Sequence, residues 1–452
     1  MAARDGVNWT RALALRDAER ARFTAANPAS AALAAQGADH LLFGVPMHWM
    51  NDWSTPFTLT VGEASGAHFR DADGHDYADF CLGDTGAMFG HAPAPVARAI
   101  ARQATLGYTT MLPSADAPWV ARELARRFGL PFWQFALSAS DANRFVLRWL
   151  RAATGRGKIL VFNGCYHGTV DDVFVDLAGG VAVRRASLLG QVHDLTRHTL
   201  VVEFNDLPAL EAAVAGGDVA CVLAEPVMTN IGMVLPAPGY WAAAQRILRR
   251  YDVPLAMDET HTISSGPGGY ARAHGIQADA LVLGKPIGGG IACAVYGFSA
   301  ALARRVEQVK FGAPPGHSGV GTTLSANMFA MAALRANLEE VMSDAAYALM
   351  FRLADRLAAG LRTVIGRHGL AWCVTQVGAR VEFQFAPAPP SNGGEAGAIM
   401  DPELEHIIHL YLLNRGFLIT PFHNMLLVCP DTGEADIDGL LRAFDDCLGA
   451  LR

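Results

Sequence analysis

Lysine is almost missing from this chain: only Lys158, Lys285 and Lys310 occur in 452 residues. The formal net charge of −7 is spread along the sequence, with no basic stripe and no long run of like charge. That pattern excludes the electrostatic footprint of a nucleic-acid binder. Cysteine is scarce too. Cys81, Cys165, Cys221, Cys293, Cys373, Cys429 and Cys447 are odd in number, scattered and without a CxxC pair. They suggest neither a disulfide frame nor a zinc site, so no metal is expected, and they fit reduced thiols in a cytoplasm. No apolar run approaches bilayer length, and the opening Met1-Ala2-Ala3-Arg4-Asp5-Gly6 has no apolar signal core. A cytoplasmic protein without a membrane is therefore expected. A nucleotide-binding protein is disfavoured as well. No G-x-G-x-x-G opens a helix in the first βαβ unit, and no G-x-x-x-x-G-K-[ST] is present.

What the chain does have is apolar residue. At 51% hydrophobic and 17% charged, it can bury a large core, and its length calls for two domains or one large α/β unit with additions. Residues 8–36 are alanine-rich with helical spacing, and residues 57–80 alternate like strands around a turn at Asp71-Ala72-Asp73-Gly74. From about residue 92 onward, short apolar runs at 158–162, 219–224, 253–257 and 280–283 alternate with helical stretches such as 142–153 and 240–250. This predicts a mostly parallel sheet wrapped by helices. A long helical pattern over 325–365 leads into a C-terminal α+β region whose most loop-like segment is 386–394.

In open α/β sheets, ligands bind beyond the carboxyl ends of the strands. The four runs end in Asn163-Gly164-Cys165-Tyr166-His167-Gly168, in Glu225-Pro226, in Asp258-Glu259-Thr260-His261, and in Gly284-Lys285 followed by Gly288-Gly289-Gly290. A lysine at a strand mouth, with glycines that let another backbone or a ligand approach, is placed to form a Schiff base with an aldehyde. Leu137-Ser138-Ala139-Ser140-Asp141-Ala142-Asn143 puts small hydroxyl residues before a helix. A helix N-terminus binds phosphate, although the same residues also serve as an ordinary N-cap. Together these parts describe a site for pyridoxal 5'-phosphate (PLP). Its aldehyde needs a lysine and its phosphate a helix N-terminus. Its ring nitrogen needs a carboxylate if the ring is to act as an electron sink, and the ring gains from an aromatic neighbour.

With these residues in this order, the chain from about residue 55 onward resembles the class III aminotransferases. These are fold-type I PLP enzymes, and the likeness is to their glutamate-1-semialdehyde aminomutase-like group. The resemblance also rests on Asp71-Ala72-Asp73-Gly74, Tyr77-Ala78-Asp79, Gly90-His91, and Glu225-Pro226-Val227 with Asn230 and Gly232. It implies an α/β fold with a large PLP-binding domain over 91–325, a small α+β domain over 326–452, and an N-terminal segment, 1–90, joining the small domain. It implies that Lys285 holds the cofactor aldehyde and shuttles protons, Asp258 pairs with the ring nitrogen, and Tyr166 stacks on the ring. Ser138, Ala139 and Ser140 line the phosphate loop, and His167, Glu225 and Thr260 also belong to the cofactor site. Thr322 or Thr323 reaches the phosphate of a neighbouring subunit, which implies a homodimer with shared active sites.

The chain departs from the family in several places. Thr260 stands for a family valine, and Pro286 biases Lys285 toward extended backbone. No lysine or arginine occurs between Arg22 and Arg70, where relatives acting on glutamate semialdehyde or β-amino acids place a carboxylate-binding arginine. The corresponding stretch carries Trp49 and Trp53, which read either as a pocket for an apolar or aromatic substrate portion or as packing at a dimer interface. His261 faces either cofactor or substrate. The expected activity is a ping-pong aminotransferase acting on a small-molecule amino donor and a carbonyl acceptor. The missing arginine and the altered Leu82-Gly83-Asp84-Thr85-Gly86 weigh against the alternative, a glutamate-1-semialdehyde 2,1-aminomutase. A racemase or decarboxylase of the same fold is a third reading.

Overall fold

The computed structural model describes residues 5–452. Two compact units emerge. One spans 94–344 together with 390–398, and the other comprises the chain up to residue 93 with 345–389 and 399–452.

The first unit is built on a seven-stranded sheet. Its order is Phe132–Ala136, Ala294–Phe298, Ala280–Leu283, Leu255–Asp258, Val219–Ala224, Lys158–Phe162 and Thr199–Val202. All neighbours are parallel except around Ala294–Phe298, which runs antiparallel to both of its partners. The strands are apolar runs because both faces are covered. Alternate side chains divide between two cores, as the period of two requires. Ile159, Val161, Cys221, Leu223 and Ala256 pack with Phe145, Val146 and Leu150 of the helix Ala139–Thr154. Leu160, Phe162, Val222, Ala224, Leu255 and Met257 pack with Trp241, Ala244 and Leu248 of the helix Tyr240–Arg250.

The pattern over 325–365 is not one helix. Met328–Ala336 runs into a wide turn, Asn337–Val341, before a second helix, Asp344–Arg367. The cause is Asn337, which is fully buried and donates through Nδ2 to the carbonyls of Pro286 and Ile287, both at 2.9 Å. A helical wide turn of this kind commonly marks a functional position, and this one grips the loop that carries Lys285. The C-terminal third also returns to this unit. Asn205 Nδ2 donates to the Ser391 carbonyl at 2.7 Å, and the Gly394 amide donates to Glu203 at 3.2 Å. A Cβ on Gly393 would lie 1.8 Å from the Asn163 carbonyl oxygen, so only glycine fits there.

In the second unit, Pro28 divides the N-terminal helical stretch into Trp9–Ala26 and Pro28–Ala38. Strands Val61–Ser65, His68–Asp71 and Asp76–Asp79 form a meander, and Phe417–Leu418 joins it in parallel with the last. The expected turn is present. Asp71 Oδ1 accepts the amides of Asp73 and His75 at 2.9 and 2.8 Å, and Gly74 takes φ +89°. A second sheet pairs Cys373–Val377, Arg380–Gln384 and Met425–Leu427. No helix of the described residues is long and apolar enough to cross a membrane.

Candidate active site

Four adjacent parallel strands bring their carboxyl ends together, and each delivers one chemical group. Asp258 ends its strand opposite Val282, two residues before Gly284. The chain then turns sharply at Lys285, which has φ +45°, in the turn Lys285–Gly288. Extended geometry was expected before Pro286, but the structure places Lys285 in the left-handed region instead. Two contacts force this. Asn337 holds the next two carbonyls, and Gly284 lies so close to the helix Ala139–Thr154 that a Cβ there would sit 2.8 Å from the Ala139 Cβ. A non-glycine residue in this conformation stores roughly 1–3 kcal/mol of strain.

Asp258 is buried and heavily solvated by protein. Its Oδ2 accepts His167 Nδ1 at 3.0 Å and Asn143 Nδ2 at 2.8 Å, and its Oδ1 accepts the Thr260 amide at 3.1 Å. Burial alone would raise its pKa. The hydrogen bond and charge of His167, with the donors Thr260 and Asn143, hold it well below the carboxylate range instead. Burial also works against a charge on His167, and Asp258 overcomes it and holds the imidazole protonated. The two form a buried ion pair, so Asp258 presents a fixed negative charge. Its neighbour Glu259 does different work. Fully buried, it accepts the amides of Tyr270 and Ala271 at 2.7 Å and the Thr262 hydroxyl at 2.8 Å, and burial raises its pKa to about 7. It anchors a loop, which leaves Asp258 as the charge at the site.

The pair makes a pH prediction. The Asp258 term is complete above its ordinary value of 3.8 and fades as pH falls below it. The His167 term is complete below 6.5 and is lost as pH rises through its elevated value. In cofactor-free protein, His167→Asn is expected to cost on the order of 3 kcal/mol, most between pH 4 and 6.5 and less in alkali. Denaturant melts across pH check this, and a penalty that does not change with pH would reject it.

At the phosphate end, Ser138 Oγ accepts the Asp141 amide at 3.2 Å and so caps the helix rather than pointing outward. Ser140 Oγ accepts the Thr169 amide at 3.0 Å, and a Cβ on Gly168 would fall 2.1 Å from it. The first-turn amides of Ala139 and Ser140 have no partner within the helix and could hold a phosphate. Tyr166 lies on the loop between Asn163 and Gly168, 41% exposed, with its ring edge-on to Phe174 at 6.4 Å.

A second group of side chains lies beside Lys285. Glu225 Oε2 accepts the Thr229 amide at 3.0 Å, the Thr229 hydroxyl at 2.5 Å and Asn230 Nδ2 at 3.0 Å. Thr229 Oγ1 also meets His261 Nδ1 at 3.1 Å, and His261 Nε2 contacts Lys285 Nζ. His261 therefore faces the lysine. Thr322 and Thr323 are exposed, with the Thr322 hydroxyl 3.0 Å from that of Ser325. Trp49 and Trp53 belong to the other unit, where Trp49 meets Phe422 edge-on at 6.2 Å.

Sequence reading passed over three residues. Asn143 orients Asp258, Asn337 clamps the lysine loop, and Thr229 links Glu225 to His261. Asn143 closes the phosphate-loop motif and was visible there. Thr229 is local to Glu225 but meets His261 32 positions away, and Asn337 acts across a long chain separation that leaves no local signal.

The residues present fit PLP. Besides the lysine, the fixed carboxylate and the helix terminus, Glu225 Oε1 is buried with no hydrogen-bond partner in the structure. Such an atom points to an additional polar group at the site.

Comparison with known proteins agrees. The family model "Aminotransferase class-III" matches residues 49–448. A glutamate-1-semialdehyde 2,1-aminomutase of Anaeromyxobacter sp. (strain Fw109-5) is 31% identical over 392 residues, covering 85% of this chain and 89% of that protein. A crystal structure of a glutamate-1-semialdehyde-aminomutase from Pseudomonas aeruginosa PAO1 is 50% identical, with a TM-score of 0.96 over 99% of this chain and all of that one. A lysine-to-alanine variant of a glutamate-1-semialdehyde-aminomutase from the same organism, in complex with PMP, matches equally well, with a TM-score of 0.97. A β-phenylalanine aminotransferase from Variovorax paradoxus is 26% identical, with a TM-score of 0.86 over 97% of each chain.

Proposed function

We propose that this chain, which belongs to the class III aminotransferase family and is a PLP-dependent enzyme, is an aminomutase. It would move an amino group between adjacent carbons of glutamate-1-semialdehyde or a close analogue. One observation carries this reading. The chain is 50% identical end to end to an aminomutase, against 26% to an aminotransferase of the same fold. This revises the two-substrate aminotransferase expected from the sequence.

Bound PLP supplies the electron sink for bonds at the amino-bearing carbon. The chain supplies the rest. The Ala139 and Ser140 amides hold the phosphate, Asp258 sets its fixed charge against the ring nitrogen, and Tyr166 offers a ring face. Lys285 Nζ would hold the aldehyde end and would carry protons between adjacent carbons of the substrate. An aminomutase needs no partner substrate. Purified, PLP-loaded protein given glutamate-1-semialdehyde alone is expected to form the isomeric amino ketone. A strict need for a separate donor and acceptor would restore the aminotransferase reading, which the lack of lysine or arginine between Arg22 and Arg70 favours.

The reading includes a homodimer with shared sites, in which Thr322 or Thr323 reaches the partner's phosphate. Supporting it, Leu106, Tyr108, Met111 and Leu112 are 56–79% exposed, and Met328 donates its amide to the Tyr108 carbonyl at 2.9 Å, beside the threonine segment. The double substitution Met111→Asp, Leu112→Asp is expected to yield a monomer in sedimentation that holds PLP about tenfold or more weakly. An unchanged dimer would refute the assignment of this surface. The reading takes the unit 94–344 with 390–398, wider than the expected 91–325, as the PLP-binding domain and the other unit as the smaller one. A cytoplasmic location suits the seven free thiols.

A further inference from the structure

The hydrogen bonds around Glu225 determine the state of His261. Glu225 Oε2 receives three donors, the Thr229 amide, the Thr229 hydroxyl and the Asn230 amide group. An oxygen so occupied only accepts, so the single hydroxyl proton of Thr229 is committed to it. The Thr229 oxygen is left as an acceptor toward His261 Nδ1, 3.1 Å away, and Nδ1 must carry the ring hydrogen. A neutral imidazole has one N–H. His261 Nε2 therefore presents its lone pair to Lys285 Nζ, which it contacts. Burial pushes the Glu225 carboxyl upward, with His167 drawing it down and Asp258 raising it. A proton taken by Glu225 would sit on Oε1, so the assignment holds in either state. Glu225, Thr229 and His261 are 5%, 1% and 5% exposed, so water does not compete along this line.

We propose that His261 is a general base for Lys285, positioned by Glu225 through Thr229. A proton passes from Lys285 Nζ to His261 Nε2. The freed lone pair on Nζ attacks the cofactor aldehyde carbon as its C=O bond breaks, and the oxygen leaves as water with the two protons left on Nζ; in turnover the same lone pair accepts a proton from the substrate carbon. The ring, now carrying two N–H groups, leans on the Thr229 oxygen through Nδ1, and the return of the proton resets the line. A nucleophile in contact with a base that a third group orients is the general pattern of an activated nucleophile. The inference rests on the chain being a PLP enzyme and not on which substrate it rearranges.

The test starts from cofactor-free protein. The rate at which Lys285 captures PLP is followed by its visible absorbance, and the affinity for pyridoxamine phosphate, which needs no bond to lysine, is measured by calorimetry. His261→Leu is expected to slow capture by about 10²-fold, the usual worth of a general base, while pyridoxamine phosphate affinity stays within about threefold. His261→Gln can hold the amine but cannot take its proton, so it should be as slow as the leucine variant. Added imidazole should restore part of the rate to His261→Gly, and Thr229→Val should fall between wild type and His261→Leu. In turnover, kcat should fall and KM should hold. Wild-type capture by His261→Leu, full recovery by His261→Gln, or parallel loss of pyridoxamine phosphate binding would overturn the proposal. Capture needs no substrate, so a failed aminomutase assay would leave this result standing.

Discussion

Lys285→Ala is expected to lower turnover by on the order of 10⁴-fold or more, the scale on which enzymes lose a covalent nucleophile. Nothing nearby can replace it. The other two lysines of the chain are Lys158 and Lys310. Lys158 opens its strand at the opposite end from the site and pairs with Asp218 at 2.8 Å, and Lys310 lies in the helix Ala300–Gly312. The loop should survive the change, because its shape comes from Asn337 and from the Gly284–Ala139 contact rather than from the lysine side chain. The variant should therefore fold, bind pyridoxamine phosphate normally and lose the absorbance of lysine-linked PLP. A residual rate within about tenfold of wild type, measured on protein free of contaminating enzyme, would remove Lys285 from the centre of the mechanism.

Asp258→Asn should rank second, with a loss of about 10³-fold in kcat. The substitution keeps size and most hydrogen-bond geometry but removes the charge. Three donors converge on this carboxylate, and His167 holds it ionised despite burial. The asparagine variant would put no negative charge against the ring nitrogen and would remove the carboxylate that holds buried His167 protonated. Asp258→Glu keeps the charge but displaces it by a methylene, and should recover part of the rate. An Asp258→Asn enzyme with near-normal kcat would mean that the ring works without a charged partner here. The matching change at Glu259 should act mainly on stability, because that carboxyl is spent on the Tyr270 and Ala271 amides.

Much of this was legible before folding. The apolar runs at 158–162, 219–224 and 280–283 coincide with strands, and the helix at 240–250 with Tyr240–Arg250. These are local patterns, set by which faces each segment must bury. The chemistry at the strand ends was legible for a related reason, since a parallel sheet collects the residues after each strand on one edge. Proline and asparagine account for the misses. Pro28 divides the first helical stretch, and Asn337 opens the turn that divides 325–365.

By itself, then, the sequence determined the sheet and the family and singled out Lys285 and Asp258 as candidates, because periodicity and residue order carry that information within short windows. Tertiary structure alone decided how those groups are tuned. Thr229 meets His261 across 32 positions, Asn143 meets Asp258 across 115, and Asn337 reaches Pro286 across 51. A hydrogen bond depends on distance and direction in space, and no local pattern encodes either across such separations. The protonation of His167 and the tautomer of His261 follow from those bonds, so the chemistry of the site became readable only when the chain was folded.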